Sequence, residues 1–161
     1  MARLESTPSP SADANADGDG DALAAACERA YATLRASLGG ELWDEDAGRV
    51  AHARTLVMAG RGELAHAVLE SGGLACAIER MHMLHADDDW DGAIAVGRAA
   101  AARFPASACG LRNSVAGMLS ALGRHAEALA ELEQNIAAEP EVAAWRELRE
   151  LVVARLAEDA A

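Results

Sequence analysis

Trp90-Asp91-Gly92-Ala93-Ile94-Ala95 runs on to Phe104-Pro105, and thirty-five residues later His125-Ala126-Glu127-Ala128-Leu129-Ala130 runs on to Glu139-Pro140. In both stretches an alanine, Ala93 or Ala128, opens an apolar pattern of helical period, and a proline follows twelve residues on. Proline lacks the N–H that a helix interior needs and drives the preceding residue out of the helical region, so each stretch reads as one helix with a fixed stop. A period of this length belongs to stacked helical units, each burying its apolar face against the next. The expected fold is all-α: antiparallel helix–turn–helix repeats in a short superhelix, closed by a C-terminal capping helix.

Composition supports the helical reading. The chain has 161 residues, long enough for a sizeable core. Hydrophobic residues make up 52 % and aromatics only 3 %, so alanine, the best helix former, carries much of the apolar fraction. Residues that favour strands are scarce. Every basic residue is an arginine, a usage that fits a GC-rich bacterial genome. The formal net charge of −12 leaves no basic stripe for a phosphate backbone and favours a partner with a basic surface. Cys27, Cys76 and Cys109 are odd in number and far apart, which suits reduced core thiols in a cytoplasmic protein. No apolar segment reaches membrane-spanning length, and the N-terminus has no signal-like apolar stretch.

Residues 1–20 are Ser-, Pro-, Asp- and Gly-rich and are expected to form a disordered acidic tail, with 21–161 as the helical domain. Asp21 is placed to cap a helix that Gly39-Gly40 ends. Further helices are expected from about Asp44 to Ala59, Gly62 to Glu70, Leu74 to Ala86 and Trp90 to Arg103. Ser107 is expected to open the next, closed by Gly123; its partner spans Arg124 to Ala138, and a last helix runs from Glu141 to about Glu158. The clearest units are 74–105 and 107–140, with 141–158 as the cap.

These units resemble the tetratricopeptide repeat. The best spans Cys109 to Pro140, with Ala116 at the small position, Leu119 at the packing position, Gly123 at the turn, Ala128 in the second helix and Pro140 at the stop. The unit before it keeps Trp90, Ala93, Ala100 and Pro105 but has Asp87-Asp88-Asp89 in place of the turn glycine. A third candidate, Asp46 to Gly73, keeps Ala53, Leu56, Gly60 and Ala65, with a short second helix and no proline. The resemblance implies a binding groove built from the first helix of each unit. Carried onto this chain, that groove would be lined by Gly110, Asn113, Gly117 and Ser120, and by Ala75, Ile78, His82 and His85 one unit earlier. A carboxylate clamp of the family's type is not assembled, because lysine is absent and only Arg80, Arg112 and Asn113 stand near.

Motifs for chemistry are sparse. Asp13-x-Asn15-x-Asp17-Gly18 starts like a calcium loop, but Ala24 stands where the bidentate glutamate belongs. His82 and His85 share a helix face beside Asp87, Asp88 and Asp89, yet two imidazoles alone do not make a metal site. No nucleophile–base spacing and no phosphate-binding loop occurs. The expectation is a non-enzymatic interaction module without cofactor or metal: an adaptor, assembly factor or chaperone that binds another protein or peptide segment. It resembles the tetratricopeptide chaperones of type III secretion systems. The alternatives are a self-associating structural protein, a homodimer whose groove is filled by its own copy, or a metal-responsive regulator.

Overall fold

The computed structural model describes residues 44–159 continuously, together with 22, 25–26, 28–33 and 36. The acidic tail, the calcium-like motif and most of the expected first helix lie outside the described residues. Those described between 22 and 36 are helical. Seven α-helices follow: α1 (Glu45–Met58), α2 (Gly62–Glu70), α3 (Leu74–Ala86), α4 (Trp90–Arg103), α5 (Ala108–Ala121), α6 (His125–Ala138) and α7 (Ala143–Asp159). A 3-10 turn, Pro105–Ser107, leads into α5. The described residues contain no strand, and none of their helices is long and apolar enough to cross a membrane.

Three helical hairpins turn in the same way. Gly60, Asp88 and Gly123 adopt left-handed φ angles of 73°, 62° and 72°. At each turn the next residue donates its N–H back five residues: Arg61 to Leu56 O at 2.8 Å, Asp89 to Leu84 O at 2.9 Å, and Arg124 to Leu119 O at 2.9 Å. This closure satisfies carbonyls that a helix end leaves without partners, and it needs a residue tolerant of positive φ. Asp88 therefore serves where the other turns use glycine, aspartate being among the few side chains that visit this region. Five residues past each left-handed residue, an alanine N–H bonds the carbonyl that opens the next helix; Ala65, Ala93 and Ala128 are all fully buried.

The prolines also act alike. Phe104 and Glu139, each before a proline, leave helical geometry and donate to Ala100 O and Asn135 O at 2.8 Å. By contrast α2 has 9 residues against 14 in α4 and α6, ending at Ser71-Gly72-Gly73. Several boundaries differ by one or two residues from the sequence reading. Ser107 belongs to the 3-10 turn, and α5 starts at Ala108. The last helix starts at Ala143 rather than Glu141, because Val142 N–H turns back to Glu139 O at 3.1 Å.

The chain divides into two compact units, 1–68 and 69–161, with the boundary inside α2. In the first, Ala53, Leu56 and Ala65 are buried on α1 and α2. Tyr31 stacks on the buried His52, ring centroids 5.0 Å apart. In the second, α3 to α7 pack each against the next. One core layer joins Ala100, Ala101, Ala108 and Leu111 with Leu74, Ile78 and Phe104. The other joins Ile94, Val115, Ala116, Leu119, Ala128 and Leu132 with Leu148 and Val152 of α7.

Between the layers the packing exchanges volume. Ala116 and Leu132 are the small and large members of one buried pair of positions; thirty-five residues earlier the same positions hold Met81 and Gly97. A Cβ on Gly97 would lie 2.5 Å from Val115 Cγ2 and 3.0 Å from Met81 Sδ. Charges lock the second helices together outside this core. Arg98 of α4 donates to the buried Glu131 at 2.7 Å and to Glu127 at 3.3 Å; Arg124 bonds Glu127 at 2.7 Å and also Asp91. Arg124, and beyond it Arg98, hold the Glu127 carboxyl below the usual carboxylate range.

Gly97→Ala is expected to cost about 1–3 kcal/mol through overpacking, and Val115→Ala to relieve part of it, measured as a coupling energy in a denaturation double-mutant cycle. Because the Glu127 pKa is lowered in the folded state, its contribution is complete above the unfolded value of about 4.3 and is lost as pH falls through the folded one. The stability difference between wild type and Glu127→Gln should therefore stay level from about pH 6 to 8 and vanish in acid; a gap that persists at about pH 2 would contradict this ion pairing.

Candidate functional site

The groove positions expected from sequence fall in strict register along the chain. Ile78, His82 and His85 on α3 correspond to Asn113, Gly117 and Ser120 on α5, each thirty-five residues on. A further thirty-five residues lead to Leu148, Val152 and Arg155 on α7. The last helix is therefore more than a cap: it occupies the place of another first helix and supplies a groove wall.

Between α5 and α7 lies an open groove of about 620 Å³. Asn113, Gly117 and Ser120 form one wall, and Leu148, Leu151 and Val152 line the other. Ala116 and Leu132 lie at its base, where both belong to the buried core. Arg155 and Glu158 stand at one end and pair with each other at 3.2 Å. Three of the seven expected site residues are thus brought together. Gly110 is exposed on α5 and does not line the groove. Ile78 is half-buried against the Ala100–Leu111 layer instead. His82 is exposed, and His85 places its ring edge-on to Trp90, centroids 4.3 Å apart.

Local sequence explains why the groove opens here. At the position of Ala116, α3 carries Met81, which is buried with its sulfur towards Gly97. Ala116 presents only a methyl group there, and Leu132 fills the core volume beside it. On α5, Gly117 has nothing within 4 Å of the place a Cβ would occupy, so this wall is low. On α7, Leu151 is 65 % exposed, and Val153 and Leu156 are also exposed. Within the expected cap, Leu151 and Leu156 are exposed, while Leu148 and Val152 pack against the core. The missed signal was the period itself, applied once more past Pro140.

Polar anchors fix the α5 wall. Asn135, fully buried on α6, donates from Nδ2 to Cys109 O at 2.9 Å and ties the start of α5 to its partner helix. Burial, and after it the carboxylate of Glu139, push the Cys109 thiol above its ordinary range. That keeps it protonated and poorly nucleophilic at neutral pH. Trp145 Nε1 donates to Glu139 Oε2 at 3.1 Å, and Arg146 donates to Pro140 O at 2.6 Å, which seats the first turn of α7.

The other sequence candidates are engaged elsewhere. Asp89 caps α4 by accepting from Gly92 N at 3.0 Å, and Asp88 makes the left-handed turn. Among the described residues no three His, Cys, Asp or Glu side chains come together as a metal site. A smaller cavity of about 120 Å³ includes Arg80 and Arg103 in its lining. Arg103 donates to Gly72 O at 2.9 Å and Arg80 lies 3.8 Å from Glu70, so both guanidinium groups hold helix ends in place. The larger groove is lined mainly by apolar side chains, with Asn113, Ser120, Arg155 and Glu158 as its polar members.

Since a side chain at 117 meets open space, Gly117→Ala should raise stability by about 0.5–1 kcal/mol through helix propensity alone, read as a shift in the denaturation midpoint. Comparison with protein-family models, with curated proteins and with solved structures finds no match to this chain.

Proposed function

We propose that this chain is a non-catalytic protein–protein interaction module, an adaptor, assembly factor or chaperone of the cytoplasm. It takes up a helix or extended segment of another protein in the groove between α5 and α7. The observation that carries the reading is the groove itself, an apolar channel of about 620 Å³ whose walls belong to separate, independently seated helices. Its size lies in the range of functional pockets, and its lining is mainly apolar with a few polar groups, as recognition sites are. Leu151 adds an exposed apolar contact at its edge, the kind of feature that marks interaction surfaces when it adjoins a cavity. The tetratricopeptide resemblance of the sequence supports the same reading, because that family binds partner segments in a groove of first helices.

The test uses a defined disruption. Leu151→Arg places a charge in the groove wall at an exposed position, so the fold should be retained within about 2 °C of the wild-type melting temperature. A partner isolated at one-to-one stoichiometry with the wild-type chain should bind this variant at least tenfold more weakly. Undiminished binding would place the interaction elsewhere. A stable homodimer whose α5 and α7 amides are protected from exchange would replace the reading with self-association.

A further inference from the structure

We infer that the occupant of the groove is an amphipathic α-helix of another protein, carrying lysine or arginine along one flank of its apolar face. This rests on the binding reading above and specifies the partner's chemistry.

Backbone hydrogen bonding decides between a helix and an extended segment. From Asn113 to Ser120 the α5 wall runs seven residues, about 10 Å, and from Leu148 to Glu158 the α7 wall runs about 15 Å. An extended chain of that length brings about three to five residues, each with an N–H and a C=O to satisfy. One of its edges would face Leu148, Leu151 and Val152, which offer no partner, with Arg155 and Glu158 at one end already paired to each other. The other would find only the side chains of Asn113 and Ser120, since the backbone of α5 is bonded within its own helix. A helix satisfies its backbone internally and needs only an apolar stripe. The low wall at Gly117 lets such a helix approach closely.

Charge sets the flank. Along α7 the groove residues Leu151 and Ala154 stand three or four places from Glu147, Glu150 and Glu158, so these carboxylates border the same face. Among the described residues, only Glu158 of the three has an arginine at ion-pair distance. On α5 the sole charged residue is Arg112. The acidic border therefore lies on the α7 side, and the occupant's basic flank faces α7. A second copy of this chain is disfavoured, because each copy carries a net charge of −12 and has no lysine.

Three labelled peptides of about four helical turns test this by fluorescence anisotropy on the full chain. The first has leucines at i, i+3 and i+7 with arginines beside them; the second replaces the arginines with glutamates; the third keeps the arginines but has two central prolines. The basic helix should bind at least tenfold more tightly than either variant, and its affinity should fall as salt rises. Glu147→Gln combined with Glu150→Gln should bring the basic and acidic peptides to within about threefold of each other, by removing the border charges. Gly117→Phe, which meets open space and should fold normally by circular dichroism, should fill the groove and reduce binding at least tenfold.

Equal binding of the proline peptide would overturn the helix while leaving the groove reading intact. Equal binding of the acidic peptide would overturn the basic flank. If none of the peptides binds, yet Leu151→Arg still loses the isolated partner, the inference fails and the function stands. If Leu151→Arg has no effect either, both fail.

Discussion

The structure depends on one backbone closure, the hydrogen bond that runs back five residues across a left-handed turn. Leu56, Leu84 and Leu119 accept it, and Arg61, Asp89 and Arg124 donate it. It does two jobs at once. It gives a partner to a carbonyl that a helix end would otherwise present to the core, and it fixes the direction in which the next helix leaves. With that direction set, an alanine five residues past the left-handed residue falls in the core. Ala65, Ala93 and Ala128 are fully buried for this reason. The same closure precedes α2, α4 and α6, whereas α7 is launched by the turn at Pro140.

Much of the fold was legible because the signals were local. Glycine at a turn, a capping aspartate and a proline stop act within a few residues, so the limits of α2, α3 and α4 read directly from the chain. Asp88 was harder to place. Three consecutive aspartates look like a departure from the turn pattern, and only the backbone angle shows that the middle one fills the glycine role. Ser107 stands at the N-cap of α5 without a side-chain capping bond, as the last residue of the 3-10 turn that Pro105 opens.

The site was less legible, since it is a property of register between helices and not of any one of them. Asn113, Gly117 and Ser120 were found because the groove face of a helix can be counted along one element. Leu148, Leu151 and Val152 were assigned to a cap, a role that hides an apolar face, whereas Leu151 is open to solvent. Ile78 carries the same register position as Asn113 but is drawn into the layer around Leu111 and Phe104. Position in the repeat fixes where a side chain starts; its size and polarity fix where it ends.

The exchange of Met81 and Gly97 for Ala116 and Leu132 bears on how this chain can change. Stacked repeats invite duplication and shuffling, yet here successive units are keyed differently at the layer where their helices meet. A first helix bearing methionine needs a second helix bearing glycine, and one bearing alanine needs leucine. Transplanting a single helix from one unit into the other would create a clash in one direction and a void in the reverse. Because Gly97 also faces Val115 of α5, the key reaches across to the next hairpin, and exchange of a unit has to carry the matching face of its neighbour with it.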